Sequence, residues 1–420
     1  MKIMWVMARP VSGTCGTSNK STSGSWLDAA YESCKDTDGV ELHIVSLGKV
    51  DHLKEFSEGK HHFYLLPIGN PTKYDINSSS NIQEWNKLKE LVTPDVLQIW
   101  GTEKSVYLLA QRTFSSVPSV VYIQGVVAKV AEDYCGNMSW RDKWCNISLQ
   151  DIYRHTWIDA TQRGFEKMAE IEAEILRNAD GVIVENDWCA SQIMAINPNC
   201  KIFHSKLPIK NDFFKEDWDV NNIEDFSILT NAGAAPLKGH HVLFKALSYV
   251  VKEYPQTQVY IPGFSRMTNS WKDKLGRNGY SNYLRKLIKK YNLEGHINYI
   301  GVLTSEELAK KISLVNAFVM PSSVENHSSS LIEAMIVGAP CVSSYVGGVS
   351  SVACHGKNAL LYNFSDAQFL AGCICKIFGS KETALSMSNE AKKIRDSRHV
   401  DILCDFITCY QALLTKNETV

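Results

Sequence analysis

The chain has 420 residues, 45% hydrophobic and 21% charged, with a formal net charge of −1. This is the composition of a globular protein with ample core, and at roughly 100–200 residues per domain it predicts two or three domains. The near-zero charge argues against a general nucleic-acid binder, which carries a basic excess, and no stretch approaches the ~20 apolar residues of a membrane span.

In chain order, short β-rich apolar runs alternate with longer amphipathic ones. "KIMWVMA" predicts a buried first strand, being too short an apolar run for a signal peptide. "SGSWLDAAYESC" predicts a helix after a Gly/Ser loop, and "VELHIVSL" a strand. "IQEWNKLKELV" is a helix stopped near Pro94, "PDVLQIWG" a strand, "SVYLLAQRTF" a helix and "PSVVYIQGVV" a strand. A more polar section follows, then the helix "FEKMAEIEAEILRNA" and the strand "GVIVEN". Such alternation indicates βα units and parallel sheets. Residues 205–225 are polar and without clear periodicity, so an inter-domain linker is placed there.

The alternation then restarts. "SILTNAG", "TQVYIPG", "INYIGV", "NAFVMPS" and "APCVSS" predict strands. "HHVLFKALSYVVKEY", "NYLRKLIKKYNL", "TSEELAKKIS" and "SSSLIEAMIVG" predict helices, the third opened by a capping box of Thr304 with Glu307. Residues after about 384 read as tail helices. The 12 cysteines are scattered. Cys373 and Cys375 form a CxC without a second pair at zinc-ligand spacing, so free or buried thiols of a reducing compartment are expected. Glycines follow strands at 101, 125, 233 and 263, where ligands of open α/β sheets bind.

The stretch "PSSVENHSSSLIEAMIVGAP", residues 321–340, concentrates the candidate chemistry. Glu325 lies in a loop and Glu333 in the helix that follows. The helix N-terminus at Ser328, Ser329 and Ser330 offers N–H groups and a positive dipole end to an anion. By local signal alone, Ser330-x-x-Glu333 fits a capping box, Glu325 a solvated loop glutamate and His327 a plain loop histidine.

The order of the whole segment resembles the E-x7-E signature of retaining glycosyltransferases of GT-B fold (the glycosyl transferases group 1, family 4 type). Pro321-Ser322, Glu325, Glu333-Ala334-Met335, Gly338-Ala339-Pro340 and Gly347-Gly348 all fall in register with it. "PLKGHHVLFKAL", "VYIPG" and "YIGVLTSEEL" resemble further parts of the donor domain. "DVLQIWG", "VVYIQG", "ILRNADGVIVEN" and the loop from Gly13 to Gly24 resemble the acceptor domain.

The resemblance implies an α/β GT-B architecture, with two Rossmann-like domains facing a cleft. Residues 1–205 would bind the acceptor and 206–385 the nucleotide-sugar, and helices in 386–420 would cross back to the first domain. It implies that Glu325 contacts the donor sugar near the reacting carbon and that Glu333 holds the ribose. Lys238 would neutralise the diphosphate and Val302 would face the base. Gly24, Gln124 and Gly125 would lie on the acceptor side.

Departures from the family pattern accompany these expectations. Gly233 and Ala232 stand where many members have a phosphate-binding arginine, which leaves Lys238 alone or helped by Arg266. Gln124 replaces a histidine, and Ser351 replaces an acid. No metal or other cofactor is expected.

The implied reaction is sugar transfer from a nucleotide-diphosphate sugar to a carbohydrate or lipid-linked glycan acceptor, in bacterial surface polysaccharide or glycoconjugate biosynthesis. The expected setting is cytoplasmic, with peripheral contact at the inner face of the membrane. A nucleotide-sugar epimerase on the same fold and a non-catalytic nucleotide-sugar or carbohydrate binder are the alternatives. The basic face of "SNYLRKLIKKY" fits either a solvated surface or anionic lipid. The tryptophans and cations of "GNMSWRDKWCNISLQDIYRHTW" fit a sugar surface or a packing insert.

Overall fold

The computed structural model describes the chain except residues 8, 12–13, 15–24, 69–73, 207–208, 231–232, 234, 264–272, 274–275, 399–401 and 416–420. It forms two compact units. The first comprises Met1–Ala128, Glu166–Pro208 and Val400–Val420. The second comprises Lys129–Phe165 and Ile209–His399.

The first unit is built on eight strands: β1 (Lys2–Met7), β2 (Glu41–Gly48), β3 (Lys54–Glu58), β4 (His61–Pro67), β5 (Val96–Trp100), β6 (Ser119–Tyr122), β7 (Gly181–Val184) and β8 (Lys201–His204). Their order is β3-β4-β2-β1-β5-β6-β7-β8. All neighbours are parallel except β3 on β4, an edge hairpin that the periodicity did not reveal. β1, β5, β6 and β7 are buried almost throughout. That is why they read as continuous apolar runs and not as alternating ones: helices cover both faces of a parallel sheet. The helix Ile402–Leu414 belongs to this unit. Its Tyr410 hydroxyl accepts from Trp5 Nε1 at 3.1 Å, and Phe406 meets Trp5 and Trp100 edge-on.

The second unit carries β9 (Glu224–Thr230), β10 (Gln258–Pro262), β11 (Ile297–Gly301), β12 (Val315–Met320), β13 (Cys341–Ser344) and β14 (Leu360–Tyr362). All are parallel, in the order β11-β10-β9-β12-β13-β14. From β9 the chain winds outward through β10 and β11. From β12 it winds the other way. The topological switch point therefore lies between β9 and β12, where a crevice for ligands opens beyond the strand ends.

Two segments fall differently from their sequence positions. Residues 129–165, counted by sequence with the first domain, cluster with the second unit. Gly279 N–H donates to Asp151 Oδ2 at 2.7 Å, and Lys286 Nζ to the Cys145 carbonyl at 3.2 Å. The polar stretch 205–225 is also less open than its composition predicts. It holds the helix Asn211–Lys215 and the buried Trp218, whose indole N–H donates to the Val315 carbonyl at 2.7 Å and whose backbone N–H donates to that of Val337. The expected tail divides as well: the helix Lys381–Lys392 stays in the second unit and only Ile402–Leu414 joins the first. No described helix is long and apolar enough to cross a membrane.

Candidate functional site

The loops after β9 and β12 meet at the switch point. A single 3₁₀ turn, Pro236–Lys238, follows β9. Lys238 Nζ donates to Glu325 Oε1 at 2.9 Å across a sequence separation of 87. Both side chains keep some solvent contact, 30% for Lys238 and 14% for Glu325. The pair is therefore open to a ligand on one side. Ser323 fixes this loop by donating its N–H to the Leu237 carbonyl at 2.8 Å and its hydroxyl to the Asp133 carbonyl at 2.7 Å.

Two glycines permit the approach. A Cβ on Gly239 (φ +70°) would stand 1.6 Å from the Pro321 carbonyl oxygen, and one on Gly347 (φ +51°) 2.0 Å from that of Glu325. Gly348 N–H donates to the same Glu325 carbonyl at 3.0 Å. The Lys-Gly and Gly-Gly elements thus seat the loop that carries Glu325. Ser351 turns its hydroxyl back onto the Gly348 carbonyl at 2.7 Å.

The helix Ser329–Val337 opens beside this loop. Ser328 caps it in the left-handed region (φ 49°) without a side-chain bond, and its buried hydroxyl has no partner among the described residues. Leu331 and Ile332 N–H groups already donate to the Ser328 carbonyl, which leaves those of Ser329 and Ser330 for an anion. The capping box with Glu333 does not form, because the left-handed cap falls at Ser328 and not at Ser330. Glu333 is half-buried and makes no hydrogen bond or ion pair among the described residues. Burial pushes its carboxyl up to about 8, against a smaller opposite pull from Lys210.

Other expected positions are more scattered. Val302 follows β11 and is exposed. Gly233 follows β9 at φ +112°, with room for a Cβ only against the Lys238 stem. In the first unit, Gln124 Nε2 donates to the Trp100 carbonyl at 3.0 Å, and Gly125 has nothing within 4 Å of a built Cβ. Gly24 and Arg266 lie outside the described residues.

Several neighbours of the candidate residues escaped sequence reading. His241, in the helix His240–Glu253, hydrogen-bonds the Tyr280 hydroxyl at 2.9 Å through Nδ1 and the Gly136 carbonyl at 2.8 Å through Nε2. Burial lowers its pKa to about 4, so the ring is neutral. Gly136 itself (φ +56°) would bring a Cβ to 2.8 Å from the Pro236 carbonyl. Segment 129–165 therefore braces both the Lys238 turn and, through Asp133, the Glu325 loop. In the first unit, Glu172 accepts from the Thr102 hydroxyl and from the Val127 and Ala128 N–H groups. Glu103 beside it has an enclosed oxygen, Oε2, without a partner among the described residues, and burial raises its pKa. A glutamate just past a β-strand glycine, in "GTEK", was the only sequence signal for it.

Residues 212–394 match the family described as Glycosyl transferases group 1. A putative glycosyltransferase of Bacillus subtilis, YtcC, is 26% identical over 203 residues, 46% of this chain and 47% of the relative. The chain thus spans about half the length of this curated relative. Among solved structures, sucrose-phosphate synthase from Thermosynechococcus elongatus superposes with a TM-score of 0.70 at 16% identity, covering 99% of each chain. Anabaena Alr3699/HepE in complex with UDP and glucose superposes with 0.63 at 12% identity over the full length of both. These whole-chain likenesses show the fold to be GT-B, built of two Rossmann-like α/β domains.

Proposed function

We propose that the protein is a retaining glycosyltransferase that moves a sugar from a nucleotide-diphosphate sugar to an acceptor hydroxyl. The observation that carries this reading is the Lys238–Glu325 contact at 2.9 Å beside a helix N-terminus with unclaimed N–H groups. A breaking glycosidic bond leaves negative charge on the departing diphosphate. The Lys238 ammonium, the Ser329 and Ser330 N–H groups and the helix dipole stabilise that charge without a metal ion. Removing one such donor typically costs about 10²–10³ in turnover.

In this reading the nucleotide enters with its diphosphate over the Ser329–Val337 helix and Lys238 swings from Glu325 to the phosphates. Glu325 is then freed to hold sugar hydroxyls near the reacting carbon. Glu333 accepts from the ribose hydroxyls, and the Val302 backbone faces the base. The departing phosphate takes the acceptor proton while the sugar passes through an oxocarbenium-like state, and the incoming oxygen arrives on the face the phosphate leaves. Gln124 and Gly125 serve the acceptor side, where an amide can hydrogen-bond but cannot relay a proton at neutral pH. A carbohydrate or lipid-linked glycan is the acceptor class, with a role in bacterial surface polysaccharide or glycoconjugate synthesis. The UDP of the HepE complex makes a uridine nucleotide the first donor to try.

The test is incubation with a panel of nucleotide-sugars and glycan acceptors, with product mass and anomeric configuration read by mass spectrometry and NMR. Transfer with retention is expected, reduced about hundredfold or more in Lys238→Ala and likewise lowered in Glu325→Ala. Net epimerisation of the donor without any acceptor would overturn the reading.

A further inference from the structure

Between residues 140 and 153 the second unit exposes five large apolar side chains. Trp140 (72%) and Trp144 (58%) lie on the short helix Trp140–Trp144, and Leu149 (82%), Ile152 (56%) and Tyr153 (85%) on Leu149–Arg154. Five large apolar side chains exposed along one short stretch mark a place of contact.

The helix Gly279–Lys290 lies against both short helices. Its first N–H meets Asp151 Oδ2 at 2.7 Å and its Lys286 reaches the Cys145 carbonyl at 3.2 Å. This helix carries Arg285, Lys286, Lys289 and Lys290 and no acid. The acids of the short helices are spent internally. Asp151 is buried in the Ser148 capping box and Asp142 accepts from the Ser139 hydroxyl at 2.6 Å, while Asp159, in the following helix Ile158–Arg177, holds Lys143. The fully exposed charges of the three helices are cationic: Arg141 and Arg154 beside the apolar side chains, and Lys286, Lys289 and Lys290 along the neighbouring helix.

We propose that this surface docks the protein onto a bilayer containing anionic phospholipid. Tryptophan and tyrosine place an apolar body and a polar tip at the headgroup boundary, and lysine and arginine stems reach to the phosphates. Short helices with an apolar side and a cationic flank lie in that plane. A second copy of the chain fits less well, because a two-fold contact sets the same patch against itself and would oppose cation to cation. Nucleic acid would leave Leu149 and Ile152 without a partner. Two stretches that the sequence left as separate possibilities are thus one surface. The proposal does not rest on the transferase reading, since its readout is lipid binding and not turnover.

The experiment is co-sedimentation of the full chain with phosphatidylcholine vesicles with and without phosphatidylglycerol. Binding only to the anionic vesicles is expected, weakened about fivefold for each cation removed in Lys289→Ala/Lys290→Ala and on the order of tenfold in Trp140→Ala/Trp144→Ala. Wild-type tryptophan fluorescence should be quenched by bilayer-embedded brominated lipid, which needs no variant to fold. Absence of pelleting, equal pelleting with neutral vesicles, variants that bind as wild type does, or absence of quenching would each overturn the proposal. So would a lipid-free dimer in sedimentation velocity that Trp140→Ala abolishes.

Discussion

Glu333 shows what one side chain can report. Its carboxyl has no partner among the described residues, and burial raises its pKa from 4.5 to about 8. An acid with a raised folded pKa contributes stability that is complete below 4.5 and is lost as pH rises through about 8. The ligand-free protein should therefore lose stability across that window with a slope of up to about 1.4 kcal/mol per pH unit. Glu333→Gln should flatten this slope in urea unfolding followed against pH. If the carboxylate holds a ribose, the same variant should weaken nucleotide affinity roughly tenfold, the cost of losing hydrogen bonds to a charged acceptor. A pair that still touches solvent, as Lys238–Glu325 does, adds little to stability, at most about 1 kcal/mol. Loss of turnover in Lys238→Ala with an unchanged melting temperature would thus reflect chemistry and not unfolding.

At the scale of elements, the site depends on backbone packed against backbone. Gly239 and Gly347 both hold positive φ and both face a carbonyl oxygen within 2.0 Å of where a Cβ would stand. Gly356 also holds positive φ (+76°) but has open space around it. Gly356→Ala should cost about 1–2 kcal/mol from left-handed strain alone. Gly239→Ala and Gly347→Ala should cost more, with activity lost in step as the Glu325 loop moves; equal melting-temperature shifts in all three would refute the packing argument. His241 ties segment 129–165 to the helix behind Lys238. Its pKa is lowered from 6.5 to about 4, mainly by burial. Stability from a depressed group is present above 6.5 and lost as pH falls through about 4. His241→Gln should remove that acid-side slope, measurable in the same urea titrations.

For the molecule as a whole, each unit has its own largely parallel sheet and its own core. Donor nucleotide should therefore protect the second unit selectively. At a hundredfold excess over the dissociation constant, UDP should add about 2.7 kcal/mol to the unit it binds. Hydrogen exchange should locate that protection in the loops after β9 and β12; protection confined to the first unit would displace the proposed donor site. Much of this was legible in the sequence. The period of the apolar runs determined the βα alternation, since a strand buried on both faces must be apolar throughout. Local residue order determined the helix from Ser329, its Gly338 stop and the Glu325 loop before it. The Ser330–Glu333 capping box was misleading, because serine repeats offer several caps and the local signal does not choose among them. Strand order was beyond the sequence: only the pairing of β9 with β12 brings Lys238 to Glu325, and that pairing depends on contacts between residues far apart in the chain. The tertiary structure alone also assigned segment 129–165 to the second unit, through buried polar contacts such as His241 with the Gly136 carbonyl. Such contacts have no periodicity to announce them, because their cause is the desolvation of single groups that must find a partner wherever the fold provides one.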